Sequence, residues 1–137
     1  MLFVKVGLLF TNELSKIEGL ECLIELKDLN LSFNRISRIE GVDALHGLHT
    51  LELNNNKLSL LQDLNVLKRR TPELVKLNLR GNPFFDNKAY RGLVLRRFAT
   101  LKYLDGLPVR EKHRYEALEK SSTLTPKLIL CNSFSIG

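Results

Sequence analysis

Three histidines, His46, His49 and His113, and two cysteines, Cys22 and Cys131, carry the side chains best suited to ligate a metal or attack an electrophile. They match no zinc-ligand spacing. His46 and His49 flank the start of an expected strand, and no carboxylate is placed to orient them as a catalytic pair. A phosphate-cradling glycine motif, a nucleophile elbow and HExxH are all absent. We therefore expect no enzyme activity, no metal and no cofactor. The chemistry that does recur is that of the carboxamide. Asn12, Asn34, Asn56 and Asn82 stand 22, 22 and 26 residues apart. A buried amide supplies a donor and acceptors to backbone groups that a bend leaves unpaired. Stacked asparagines can therefore staple successive turns of chain, and removing one leaves buried groups unsatisfied, at about 1–3 kcal/mol.

The elements that must hold these amides are legible in the apolar positions. The pattern LxxLxLxxN runs Leu26, Leu29, Leu31, Asn34, then Leu48, Leu51, Leu53, Asn56, then Leu74, Leu77, Leu79, Asn82. Side chains alternate along a strand, so Leu29 and Leu31 face one way while Asp28, Asn30 and Ser32 face the other. The rest of each period aligns in four columns: Leu14, Ile36, Leu58; Ile17, Ile39, Leu61; Leu20, Val42, Leu64; Leu23, Leu45, Leu67. All are apolar, so each period is one coil whose interior closes only against its neighbours. Cys22 shares a column with Ala44 and Val66 and is expected to be a small buried core residue. A bridge from it to Cys131 is not expected, since two cysteines make no disulfide framework.

A period in the twenties with this pattern resembles the leucine-rich repeat signature. The resemblance implies an α/β solenoid: a short curved horseshoe of about four coils, with a parallel sheet on its concave face and a C-terminal helical cap. The segments SKIEGLECL and SRIEGVDAL, the 22-residue period and the terminal LDG are similar to one intracellular subclass. That subclass includes the regulatory subunit of protein phosphatase 1, the spliceosomal A-prime protein, and ciliary and centrosomal proteins. The stretch LKRRTPELVKLNLRGNPFF looks most like the ciliary and centrosomal members. The resemblance covers residues 4 to about 118 and implies a non-catalytic adaptor. An irregular first strand and few repeats weigh against phosphatase binding.

Both ends of such an array need covers. Residues 82–106, NPFFDNKAYRGLVLRRFATLKYLDG, resemble the subclass cap. Asp86 or Asn87 is expected to cap a helix whose apolar face comprises Tyr90, Leu93, Val94, Leu95, Phe98 and Leu101. KYLDG then forms a last strand, and Pro108 opens a helix over Val109 to Glu119. The first coil is degenerate: Val4, Gly7 and Leu9 stand where leucines are expected, and Val6, Leu8 and Phe10 make its other face apolar. An exposed apolar edge is a template for association, so either the edge docks on something or, our preferred expectation, the chain is a truncated or spliced form of a longer parent. The expected organisation is a repeat domain over 1–118, with a degenerate coil at 1–25, repeats at 26–81 and a cap at 82–118, followed by a disordered tail at 119–137.

The chain has 137 residues, of which 44% are hydrophobic, enough for one domain with a modest core. No apolar run approaches the roughly 20 residues that span a bilayer, and Met1 to Phe10 lacks a weighty basic start or a small-residue cleavage site. An intracellular protein is expected, cytoplasmic or cytoskeletal at the cilium or centrosome, with the nucleus as the alternative.

Charge divides the chain. Residues 1–67 hold six Lys and Arg against nine Asp and Glu, whereas residues 68–120 hold fourteen against six. A basic patch is expected from Lys68, Arg69, Arg70, Arg91, Arg96 and Arg97. It would attract an acidic partner or present a solvated helix face. Across the strands, three outward columns form the candidate partner surface: Asp28, Thr50, Lys76; Asn30, Glu52, Asn78; and Ser32, Asn54, Arg80. With no core to enter, these side chains are free to serve a partner. Phe33 either anchors an interface or packs beside its turn. The mixed polar surface suits a protein with complementary charge better than a small molecule. Nucleic acid is the less favoured partner, because aromatic residues do not alternate with basic ones in KLNLRGN. The expected role is a protein-interaction scaffold, the alternative a ribonucleoprotein adaptor.

Overall fold

Each leucine pair that the repeat turns inward sits between polar neighbours, the alternation of a strand that buries one face. In the computed structural model, which describes residues 6–8 and 13–116, they are β1 (Val6–Leu8), β2 (Asp28–Asn30), β3 (Thr50–Glu52) and β4 (Lys76–Asn78). They pair in parallel, with Leu29 opposite Leu51 and Leu51 opposite Leu77. Two more strands follow, β5 (Tyr103–Leu104), parallel to β4, and β6 (Leu107–Pro108), antiparallel to β5. The sheet runs in chain order from β1 to β6. Its leucines meet the return segments in one core from Ile17 to Leu104, with Leu14, Leu23 and Leu61 partly buried against it. The α/β solenoid is thus the fold observed.

Side-chain amides join the coils. Asn56 Oδ1 accepts from the Ile36 N–H at 3.0 Å, while its Nδ2 donates to Leu31 O in the preceding coil and Leu53 O in its own, both at 3.0 Å. Asn82 repeats this one coil later, accepting from Leu58 N at 3.1 Å and donating to Leu53 O and Leu79 O at 2.9 Å. Asn34 Oδ1 accepts from Leu14 N at 3.1 Å. All three are buried. The side chains of residues 1–12, Asn12 included, and the tail from 117 onward, with Cys131, lie outside the described residues.

The longer third period forms α1 (Asp63–Arg70). Asp63 occupies the column of Gly19 and Gly41. At Gly41 φ is +70°, and a Cβ there would strike the Ile17 carbonyl oxygen, so the backbones of two coils meet closely at that point. Asp63 is buried and accepts from Arg38 Nε at 2.9 Å, Arg38 Nη2 at 3.0 Å and Ile39 N at 3.0 Å. A bidentate guanidinium and a backbone donor satisfy that carboxylate, as a buried charge requires.

The structure departs from expectation at Cys22, at the start of the cap helix and at Pro108. Cys22 is exposed, because the turn closed by Leu23 N to Leu20 O sends Leu20 and Leu23 towards the core and Cys22 outward. Neither Asp86 nor Asn87 is the N-cap of α2 (Tyr90–Arg97), since Ala89 holds that place without a side-chain bond; Asn87 instead accepts from Ala89 N at 2.8 Å within the preceding turn. Pro108 lies in β6 and the described helical segment is 111–116, because Asp105 and Gly106 have φ of +55° and +81° and turn the chain back as a hairpin. Arg114 reaches the C-terminal end of α2, donating to Leu95 O at 3.1 Å, Phe98 O at 3.0 Å and Leu101 O, where a cation complements the helix dipole.

Asp105 also ends the parallel ladder chemically. Leu31 and Leu53 donate their N–H groups to the carbonyls of Glu52 and Asn78 in the next coil, but Leu79 donates to the Asp105 carboxylate at 2.7 Å. The turn has rotated the backbone carbonyl away, and the side chain replaces it. The Tyr90 hydroxyl donates to the same carboxylate at 2.9 Å. Burial raises the Asp105 pKa above its ordinary 3.8, against the opposing effect of those two bonds and of Arg91 and Arg80; burial and then the Asp105 charge push Tyr90 well above its own ordinary value. A carboxyl whose folded-state pKa is raised stabilises the fold most below its unfolded pKa, and that contribution is lost as pH rises through the folded value. Asp105→Asn keeps an acceptor for Leu79 and cannot ionise. Its unfolding midpoint, relative to the wild type, should therefore shift in the variant's favour between acid and neutral pH; an offset independent of pH would contradict the assignment.

Candidate protein-interaction surface

The strand register brings the first two candidate columns together. Asp28, Thr50 and Lys76 are opposite one another, as are Asn30, Glu52 and Asn78. The surface is less free than the alternation implies. Asn30 Oδ1 accepts from Ser32 N at 3.0 Å and from Ser32 Oγ, and Ser32 is buried. Asn78 Oδ1 likewise accepts from Arg80 N at 3.2 Å. These are turns in which a side chain two residues back takes the place of a backbone acceptor. Ser32, Asn30 and Asn78 therefore shape the strand ends, and Ser32 is withdrawn from the partner surface. Asn54 is half-buried, and its Oδ1 has no hydrogen-bond partner among the described residues.

Glu52 lies at the centre of the face. Asn78 Nδ2 donates to it at 3.3 Å and Lys76 Nζ lies 3.9 Å away. Asp28 and Thr50 are half-buried, while Lys76 and Arg80 are exposed, so the face runs from acidic to basic along the coils. Beside it stands Phe33, 54% exposed, at φ +57°. Asn55 and Gly81 occupy the same place in the next two coils with φ of +58° and +71°. A Cβ at Gly81 would meet Asn55 Oδ1, which accounts for the glycine. Asparagine tolerates this left-handed backbone; a bulky aromatic does so at a cost.

The six expected basic residues do not form one patch. Lys68, Arg69 and Arg70 end α1, and Arg70 Nε pairs with Asp43 at 2.9 Å. Arg96 and Arg97 end α2; Arg96 Nε donates to Gly92 O, while Arg97 donates to Asn65 Oδ1 at 2.8 Å and to Leu93 O at 3.0 Å. Lys68, Arg96 and Arg97 share a hollow of about 190 Å³. Arg91 instead shares a larger cleft with Arg80 and Arg110.

His49 Nε2 lies 3.7 Å from Glu73, a carboxylate overlooked in the sequence because it sits in the next coil. Both groups are about half exposed or more, and no buried acid–base pair results. Among the described residues no group of three or more His, Cys, Asp or Glu is placed to hold a metal, and no helix is long and apolar enough to cross a membrane.

A leucine-rich repeat family model matches residues 7–129. The chain belongs to the leucine-rich repeat family. Among solved structures, a chain of the Drosophila melanogaster SNF/U2A' complex is 34% identical, with a TM-score of 0.66 over 79% of this chain and 61% of that one. The Mex67 LRR domain from Chaetomium thermophilum is 26% identical, with a TM-score of 0.58 over 69% of this chain and 64% of that one. An internalin of Listeria monocytogenes, 20% identical with a TM-score of 0.51 over 69% of this chain and 32% of that one, shares the fold alone. This leucine-rich repeat chain thus spans less than two thirds of the solved chains it matches first. No curated protein gives a significant match.

In this leucine-rich repeat protein the strained aromatic is the feature of the concave edge that stability alone does not explain. Replacing Phe33 by Asn, the residue at the same place one coil on, should raise stability by about 1 kcal/mol in a denaturant titration, through relief of the left-handed strain. A loss of stability would show that the ring packs beside its turn.

Proposed function

We propose that this chain is a non-catalytic scaffold that holds a protein partner on its concave strand face, with its basic C-terminal half turned to an acidic surface. The observation that carries this reading is the registered face centred on Glu52, with Thr50 and Lys76 in the adjacent column and the exposed Phe33 at its edge. A row of short parallel strands presents these groups side by side on one face. Two solved structures similar at 34% and 26% identity are described as the SNF/U2A' complex and the Mex67:Mtr2 subunits, both assemblies of more than one component, which supports an interaction role. The partner surface comprises Asp28, Thr50, Glu52, Asn54, Lys76 and Arg80 with Phe33, while Asn30, Ser32 and Asn78 hold its shape.

A ciliary or centrosomal setting is the finer form of this reading. It rests on the resemblance of LKRRTPELVKLNLRGNPFF to that branch of the subclass. The second reading, a ribonucleoprotein adaptor, is favoured by the 34% identity to a chain of the SNF/U2A' complex and by the basic second half.

Quantitative capture by cross-linking separates these readings. A partner recovered with the wild-type chain should be lost with Glu52→Lys or Phe33→Asn at unchanged folding, while binding to a structured RNA stays at background. Retention of every partner by both variants would reject the concave-face reading. Tight RNA binding whose affinity falls steeply with salt, through counterion release, would support the adaptor reading instead.

A further inference from the structure

The cap encloses a cleft of about 490 Å³ between the end of the last leucine coil and the β5–β6 hairpin. Three guanidinium groups surround it: Arg80 from the turn after β4, Arg91 from the first turn of α2, and Arg110 just beyond β6. None of the three makes a side-chain hydrogen bond or ion pair among the described residues. The cleft also has an apolar floor, with Leu107 55% and Phe85 36% exposed, beside Pro108. The one carboxylate lining it is Asp105, which accepts from Leu79 N and the Tyr90 hydroxyl and lies in the field of Arg91 and Arg80 without a hydrogen bond to either. His113 completes the wall, its buried Nδ1 without a hydrogen-bond partner among the described residues.

Apolar floor and cationic rim call for different atoms of one ligand. An exposed apolar surface in a concave site is best covered by a large side chain, while unpaired arginines match carboxylates through their planar donor forks. We propose that this cleft receives one aromatic or large aliphatic side chain from an acidic segment of a partner protein, whose flanking carboxylates meet Arg80, Arg91 and Arg110. This inference rests on the reading of the chain as a protein-interaction module, and it adds a second point of contact at the basic end of the concave face. A single-stranded nucleic acid fits less well. Bases need open aromatic faces to stack on, whereas Tyr90 is buried and Phe85, 36% exposed, already packs against the Tyr90 ring at 4.9 Å between centroids. Leu107 and Pro108 offer no side-chain hydrogen bond to a base edge.

The test is a chemical-shift titration of the isotopically labelled 137-residue chain with the capped peptide Asp-Glu-Phe-Asp-Glu. Saturable shifts should centre on Arg91, Leu107 and Arg110. Replacing the peptide's Phe by Ala should weaken binding roughly tenfold or more. Arg91→Gln and Arg110→Gln should each weaken it by up to about fivefold, and Leu107→Asp should abolish it while unfolding stays cooperative. Equal affinity for the Phe and Ala peptides, shifts centred elsewhere, or no saturable shifts with the Phe peptide and its Leu counterpart would overturn the proposal. So would oligouridylate binding at these residues in place of the peptide. If the cleft fails while Glu52→Lys still abolishes partner capture, the cleft inference falls alone. If the peptide binds while the concave variants have no effect, the concave-face reading falls instead.

Discussion

Among the described residues three carboxamides, those of Asn34, Asn56 and Asn82, each bond to two coils at once. A bend that ends a strand leaves donors and acceptors which no sheet can pair, and burying them unpaired costs about 1–3 kcal/mol each. Asn56 and Asn82 answer both needs, accepting from an amide of the preceding coil and donating to carbonyls of that coil and their own. Neither aspartate nor leucine can do this, the first lacking donors when ionised and the second lacking polar atoms. The leucines supply the apolar core, but they are compatible with any stacking that keeps them inside. The amides select one stacking, because they bond only when successive bends stand in register.

The end of the array shows the same constraint in altered form. At the turn after β5, where Asp105 takes a left-handed backbone, the Leu79 amide finds no backbone acceptor of the kind that Leu31 and Leu53 find. The acceptor is now a carboxylate, which has no need to donate, and Tyr90 supplies the remaining hydrogen bond. Arg114 serves α2 in the same sense, since its guanidinium covers carbonyls that the helix end leaves open. Several groups that look like candidates for recognition are thereby committed to structure. Three arginines without a side-chain hydrogen bond or ion pair among the described residues, Arg80, Arg91 and Arg110, gather around a cleft, and the concave face keeps Glu52 and Lys76 within reach of a partner.

Periodic features were legible in the sequence because each coil meets its neighbours in the same way. The leucine columns, the strand register from Asp28 through Thr50 to Lys76, and the amide bonds of Asn34, Asn56 and Asn82 all follow from one repeat. Departures from the period were harder to read. The Asp105-Gly106 pair is a hairpin signal, yet in the repeat pattern it reads as a strand ending, which makes Pro108 look like the start of a helix. Cys22 belongs to a column that looks apolar, but that column lies on a turn whose inward positions are Leu20 and Leu23. Asp63 was legible only as a break in the glycine column of Gly19 and Gly41; its bond to Arg38, 25 residues earlier, needs the coil geometry to be seen. The candidate surface was found as columns, while the use of Asn30 and Asn78 to fix Ser32 and Arg80 was hidden, because alternation reports direction and says nothing of hydrogen bonding.

Native-state hydrogen exchange of the Ile36 and Leu58 amides tests the ladder most directly, since both donate to a side chain and to no strand. If the carboxamides join the coils, these two protons will exchange only through the opening that also exposes the strand amides of Leu31 and Leu53, with the same free energy. Exchange at rates typical of surface turns, while Leu31 and Leu53 stay protected, would show that leucine packing alone sets the stacking and would contradict the account.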